Sequence, residues 1–127
     1  MAILANLNHP NIIKLHSCPN RHLADAFMLN DGYFILLDRL SKTLHDCIDS
    51  WKVDPAFSWV TPIMKPIKVA HAVANAMAYP HSKRIIFHNL KPKNVGFDST
   101  GVVKLFNFGL AIGMPEDDAI FHRCSTR

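Results

Sequence analysis

The stretch IIFHNLKPKNVGFDSTGVVKLFNFGLA, from Ile85 to Ala111, decides how the whole chain is interpreted. Its short apolar runs RIIF, VGFD and VVKLF have the length of β-strands, and STG between the last two is a tight turn. Two polar loops interrupt these runs, HNLKPKN with Asn89 and NFG with Asn107. The stretch therefore predicts three short strands with a polar loop at the end of two of them.

The residues before this stretch predict a mixture of helices and strands. Turn and capping residues separate the apolar segments, and the NDG turn before the second strand favours an antiparallel pair joined by a loop. Pro80 is expected to end the second long element or to bend its last turn. In chain order, we predict a helix end at Ala2–Leu7, strands at Ile12–Cys18 and Tyr33–Leu40, and helices at Ser41–Trp51 and Pro66–Tyr79.

The composition is that of one modest globular domain. The chain has 127 residues, of which 49% are hydrophobic and 19% are charged, with a formal net charge of +4. This mild basic charge favours weak attraction to polyanions, but no nucleic-acid-binding motif accompanies it, so we expect no nucleic-acid partner.

Cysteine spacing and hydropathy exclude several other classes. Cys18, Cys47 and Cys124 are too few and too far apart for a disulfide framework or a zinc site. No apolar run approaches the ~20 residues that cross a bilayer, and MAILANLNHP lacks the features of a signal peptide. We therefore expect an intracellular, cytoplasmic protein with no membrane partner.

The order of these motifs resembles the catalytic core of the eukaryotic-type protein kinases. Their signatures are H-R-D-L-x-x-x-N and, further along the chain, D-F-G. Here His88 and Asn89 stand at the arginine and aspartate positions of the first motif, and Asn107 stands at the aspartate of the second. Lys91, two residues after Asn89, resembles the lysine found at this position in the serine/threonine branch of the family rather than in the tyrosine branch. The positions that match outright are Leu90, Lys91, Pro92, Asn94, Phe108 and Gly109.

The resemblance implies an α+β fold that is part of a kinase domain. It spans residues 1–127 as a single partial domain, with the end of the small lobe at 1–37, the hinge at 38–40 and the start of the helical large lobe at 41–127. By the family's spacing, the glycine-rich loop and its lysine would precede residue 1, and the A-P-E motif would follow residue 127. We therefore expect a fragment with uncovered apolar faces, among them one helix face that carries Ile67, Ala70, Ala74, Met77 and Ala78.

Family roles can be assigned to individual residues from the resemblance. Asn89 is the catalytic position, and Lys91 would meet a terminal phosphate. Asn94 and Asn107 are the two magnesium positions, and both would contribute to nucleotide binding.

Other positions would surround the adenine or align the lobes. The backbone of Asp38 and Leu40 in the hinge would hold adenine, and Gly96 beneath it replaces a larger apolar residue and would weaken that floor. The apolar stack that aligns the two kinase lobes would consist of Leu4, Leu15, Phe87 and Phe108.

Asparagine changes the chemistry at two of these positions. A carboxamide accepts no proton near neutral pH, and loss of a positioned base costs ~10²–10⁴ in rate. Asn107 offers a neutral oxygen to a hard dication that prefers carboxylates. We predict that ATP and Mg²⁺ bind weakly or not at all and that the chain is catalytically impaired.

Two alternatives to an impaired kinase fragment stay open. One is a pseudokinase-type binding or scaffold module that docks a partner protein on its exposed apolar faces. The other is an active kinase, acting on a protein substrate, whose missing parts were lost in an incomplete gene model.

Overall fold

The computed structural model describes residues 2–17, 35–53 and 64–115. The NDG turn, Tyr33, Phe34, Cys18 and Cys124 lie outside these ranges. The described helices are α1 (Ala2–Ala5), α2 (Leu44–Val53) and α3 (Met64–Ser82), with 3₁₀ turns at Pro92–Asn94 and Phe108–Leu110. The described strands are β1 (Leu15–Ser17), β2 (Leu36–Leu37), β3 (Lys42–Thr43), β4 (Ile85–Ile86), β5 (Val95–Phe97), β6 (Val103–Leu105) and β7 (Ile112–Gly113).

The strands form small antiparallel sheets, which confirms the α+β class. Strands β1 and β2 pair antiparallel, as predicted, with Leu15 opposite Leu37. Strands β3, β5 and β6 form a three-stranded sheet, and β4 pairs with β7. The three strands predicted within 85–111 are confirmed. Strands β3 and β7 were not predicted, because neither lies in an apolar run of strand length: Lys42–Thr43 opens the segment that was predicted as a helix from Ser41, and Ile112–Gly113 is one apolar residue and a glycine.

Two local motifs explain where elements begin and turn. Thr43 caps α2, since its hydroxyl accepts from the Asp46 N–H while the Asp46 carboxylate accepts from the Thr43 N–H at 2.9 Å. In the turn between β5 and β6, Gly101 has φ +85°, a conformation that side chains disfavour. The Asp98 carboxylate there accepts from the backbone of Thr100 and Val102.

Helix α3 extends beyond its predicted range of Pro66–Tyr79 at both ends. It starts two residues before Pro66, and Pro80 lies buried within its last turn without ending it. The residues it buries are Val69, Ala76 and Pro80. The predicted apolar face lies elsewhere on the helix: Ile67, Ala70, Ala74 and Ala78 are exposed, and Met77 is partly buried. The helix therefore has two apolar faces, and the described residues cover one of them.

The core joins the N-terminal segment to the strands of the stretch 85–111. Backbone hydrogen bonds run from Ile13 N–H to the Leu105 carbonyl (2.9 Å) and from Leu105 N–H to the Asn11 carbonyl (2.8 Å). Ile12 and Leu105 are almost fully buried beside Phe87 and Val95. Within the described ranges, no helix is long and apolar enough to cross a membrane.

The predicted apolar stack belongs to this core. Leu4, Phe87 and Phe108 are buried in one hydrophobic cluster, and Leu15 is partly buried against that cluster. The rings of Phe87 and Phe108 meet edge to face with centroids 4.8 Å apart. This contact ties the two polar loops of the stretch 85–111 to a common support.

Replacement of Phe87 by alanine is expected to lower the free energy of unfolding by about 3–5 kcal/mol, because it leaves a cavity in the core. Leu110→Ala is the matched control, since Leu110 is 62% exposed and a surface change costs about 0.5 kcal/mol or less. Urea denaturation of both variants measures the difference. Equal losses would contradict the assignment of Phe87 to the core.

Candidate functional site

Both loops with a predicted catalytic position contain a residue in the left-handed region of backbone conformation. His88 has φ +62°, and Asn107 has φ +67° and ψ +60°. Few residues other than glycine adopt this region, and asparagine is among those that do so most readily. The sharp turns bring Asn107 back towards the loop that carries Asn89 and Asn94.

Three asparagine residues are linked there by hydrogen bonds, and we call them the asparagine triad: Asn89, Asn94 and Asn107. The Asn94 side chain is 4% exposed. Its Nδ2 donates to the Asn89 backbone carbonyl at 2.8 Å. Its Oδ1 accepts from Asn107 Nδ2 at 3.2 Å. The structure thus brings together the three residues that the resemblance places at the catalytic and magnesium positions.

The first of these bonds fixes the direction of the second. Because Asn94 Nδ2 donates to a carbonyl, Asn94 must present its oxygen to residue 107. Residue 107 must therefore present a donor, and an amide supplies one where a carboxylate would not. No buried side-chain nitrogen or oxygen of the described part lacks a hydrogen-bond partner. The buried side-chain amide of Asn94 thus has a hydrogen-bond partner for both its nitrogen and its oxygen, and both partners belong to the triad.

The triad does not fit a bound magnesium ion. Magnesium is held by anionic or carbonyl oxygens that point at it, usually with one or two carboxylates. Here the oxygen of Asn94 is occupied by an N–H group, and residue 107 carries no charge. Across ranges 2–17, 35–53 and 64–115, no three His, Cys, Asp or Glu side chains gather into an alternative metal site.

Lys91 lies on the rim of the same loop. Its side chain is exposed, and it forms no ion pair with an acidic side chain of the described ranges. Its backbone carbonyl accepts from Asn94 N–H at 2.8 Å, which closes the 3₁₀ turn beneath the triad. The ammonium group is therefore available to an anion in solvent.

The Asp38 carboxylate links its own segment to the segment of Lys14 and His16 and to Lys104, and we call this set of contacts the Asp38 junction. Its Oδ2 accepts from the Lys14 N–H at 3.0 Å, and its Oδ1 lies 2.8 Å from His16 Nε2. Lys104 Nζ lies 3.6 Å from Oδ2. Partial burial opposes ionisation, but these hydrogen bonds and positive charges outweigh it and hold the pKa of Asp38 below its ordinary value.

Leu40 fills the space that Gly96 leaves open. A Cβ atom placed on Gly96 would lie 2.7 Å from Leu40 Cδ1 and 3.3 Å from Phe106 Cε1. The Leu40 methyl group therefore lies in the space that a side chain at residue 96 would need. The role of this position beneath an adenine stays a prediction.

His16, Lys104 and Phe106 were missed by sequence reasoning. His16 and Lys104 are far from Asp38 along the chain, and no motif connects them. An apolar residue directly before NFG was the one available signal for Phe106.

The Asp38 junction makes stability depend on pH. A carboxylate whose pKa is lowered by folding stabilises the folded state above its ordinary pKa of ~3.9, and this contribution is lost as the pH falls through the lower, folded value. As the pH falls from about 6 to about 3, we therefore expect the free energy of unfolding of Asp38→Asn to decrease by less than that of the wild type. Urea denaturation at both pH values measures this, and an equal or larger loss in Asp38→Asn would contradict it.

The contact between Leu40 and Gly96 predicts coupled substitutions. Gly96→Ala alone must displace Leu40, and Leu40→Ala alone leaves a gap, whereas the double variant lets one methyl group replace the other. We expect the double variant to be more stable than the sum of the single changes by about 1 kcal/mol. Chemical denaturation of the four proteins gives the coupling, and additive effects would contradict the contact.

Comparison with known families agrees with this arrangement. The family model described as the protein kinase domain matches residues 1–127. The match includes the core, the asparagine triad and the Asp38–Leu40 segment, and the small antiparallel sheets with their helices form a partial fold of that kind. The chain therefore belongs to the protein kinase domain family.

Proposed function

We propose that this chain is a catalytically impaired member of the serine/threonine branch of the family, in which transfer of phosphoryl groups from ATP to protein hydroxyls is negligible. The observation that carries the proposal is the hydrogen bond from Asn107 Nδ2 to Asn94 Oδ1. This bond links the side chains at the two magnesium positions directly, with an amide N–H group between their heavy atoms. An amide N–H gives Asn94 Oδ1 the positive partner that a cation would otherwise provide.

The electrostatic consequence is large because the site is partly buried. A carboxylate at residue 107 would repel the oxygen of Asn94 unless a cation lay between them, so an aspartate there favours metal binding. The amide removes that repulsion and forms the contact directly. The folded chain therefore gains less electrostatically from a bound metal ion than it would with a carboxylate at residue 107.

Proton transfer is impaired separately. Asn89 uses its backbone carbonyl to hold Asn94, and its side-chain amide can orient a hydroxyl group but cannot take its proton near neutral pH. Loss of a base costs ~10²–10⁴ in rate. Because this loss and the loss of metal affinity act on different steps, restoring one of them leaves the other in place.

The proposal includes a division of the chain and a nucleotide position. Residues 1–37 are the end of the small lobe, 38–40 the hinge, and 41–127 the start of the large lobe of a cytoplasmic kinase-like protein. The backbone of Asp38 and Leu40 would face adenine, with the Leu40 side chain as its floor. Exposed Lys91 would meet a phosphate, so any binding of ATP is weak and independent of magnesium.

A second candidate function is protein binding without catalysis. It is favoured by the face of α3 that the described residues leave uncovered, where Met64 is 51% and Ile67 is 53% exposed. Large exposed apolar side chains that are adjacent on one surface are typical of interaction sites. A third candidate is an active kinase with an incomplete gene model. Phosphoryl transfer by the wild-type chain would distinguish it from the other two.

Asn107→Asp tests the proposed role of the triad. It places a carboxylate oxygen opposite Asn94 Oδ1, so we expect a less stable protein that MgCl₂ with ATP restabilises, while the wild type shows no magnesium-dependent shift. Thermal unfolding with and without magnesium and ATP measures both. Asn75→Asp, the same change on the exposed surface of α3, is the control and should acquire no magnesium response.

The double variant Asn89→Asp, Asn107→Asp separates the two losses. It should label a generic basic protein substrate from radioactive ATP faster than either single variant, because both missing carboxylates are present. A clear magnesium-dependent stabilisation of the wild type, or wild-type labelling as fast as that of the double variant, would contradict the proposal.

A further inference from the structure

A groove at the other end of the β5–β6 hairpin is separate from the asparagine triad. It is open to solvent and has a volume of about 600 Å³, which is within the range of ligand pockets. The ends of α2 and α3 and the turn between β5 and β6 surround it. Its apolar lining consists of Cys47, Trp51, Val69, Phe97 and Val103. None of the triad residues, and neither Asp38 nor Leu40, contributes to it.

The rim of this groove is positively charged. Lys42, Lys65 and Lys68 line it, and all three side chains are exposed. None of them forms an ion pair with an acidic residue inside the described ranges. Their charges are therefore available to a partner, and they come from two elements, Lys42 from β3 and both Lys65 and Lys68 from α3.

Asp98, the acidic residue of the lining, forms no ion pair with these lysines, and three lysines with one aspartate leave the lining a net charge of +2. Asp98 Oδ1 accepts from the Thr100 N–H at 2.9 Å, the Thr100 hydroxyl at 2.8 Å and the Val102 N–H at 2.9 Å. These hydrogen bonds commit the carboxylate to the turn between β5 and β6. The hydroxyl of Ser99 beside it is a further hydrogen-bond donor on the rim.

An apolar cavity with a basic rim selects both a shape and a charge. An apolar side chain that enters the cavity is removed from water, and acidic groups on either side of it meet the lysines. A nucleic acid would match the lysines but would gain little from the aliphatic part of the lining, since base stacking needs open aromatic faces and Trp51 is partly buried.

We propose that this groove is a docking surface for an acidic segment of a partner protein that inserts an apolar side chain between Lys42, Lys65 and Lys68. The proposal gives a partner chemistry to the protein-binding function. It does not depend on the loss of catalysis, because no triad residue takes part. A kinase-active or an inactive chain would dock the same segment.

The test uses the full chain and a fluorescein-labelled peptide in which two leucines are flanked by glutamates. Fluorescence anisotropy should show saturable binding that weakens as salt is added. The variant Lys65→Glu, Lys68→Glu should bind at least about tenfold more weakly. The control is Lys83→Glu, a charge reversal just after the C-terminal end of α3 and away from the groove. It should bind the peptide like the wild type. All variants must keep the wild-type unfolding transition.

Changes in the peptide test the two parts of the recognition. Serine in place of both leucines should weaken binding, and lysine in place of the glutamates should abolish it. The proposal is overturned if the wild type does not bind the acidic peptide, if the double reversal leaves the affinity unchanged, or if a single-stranded oligonucleotide binds more tightly. The proposal is also overturned if the acidic peptide binds only to the variant Phe57→Ser, Trp59→Ser. The groove of the wild type would then be occupied by the chain's own segment 54–63 rather than by a partner.

Discussion

The hydrogen bond between the side chains of Asn107 and Asn94 is the interaction on which the account of this site depends. It is possible only because residue 107 has an N–H group, and because Asn94 has already used its own N–H group on the Asn89 carbonyl. Two positions that hold a cation in the kinase family are therefore held together without one. In the function proposed above, the same bond takes the place of the cation as the positive partner of Asn94 Oδ1.

The fold supports this arrangement from beneath. Phe87 and Phe108 flank the triad in sequence and meet edge to face in the core, so each polar loop is anchored by the aromatic residue next to it. The left-handed backbone at Asn107 directs its amide towards Asn94. Architecture and catalytic chemistry are thus carried by different residues, and one can be retained while the other is lost.

The sequence predicted the parts of the structure that depend on neighbours along the chain. The strands on either side of STG follow from the turn between two apolar runs, and α2 follows from its capping residues, although the prediction began it at Ser41 rather than Leu44. The hydrogen bonds among Asn89, Asn94 and Asn107 agree with the positions that the family resemblance gave them. Contacts between distant segments were not predictable in this way. The Asp38 junction with His16 and Lys104, the use of Leu40 to fill the space at Gly96, and the choice of which α3 face is buried depend on tertiary packing.

The most direct measurement of the central claim is NMR spectroscopy of the side-chain amides of Asn94 and Asn107 during addition of Mn²⁺ and ATP. Mn²⁺ broadens the signals of groups close to it. The account predicts that the amide of the buried Asn94 is protected from exchange with water, and that the signals of both amides stay sharp at low metal concentration and broaden only at the high concentration at which other exposed groups respond. Selective broadening of the Asn94 and Asn107 amides at low metal concentration would contradict it.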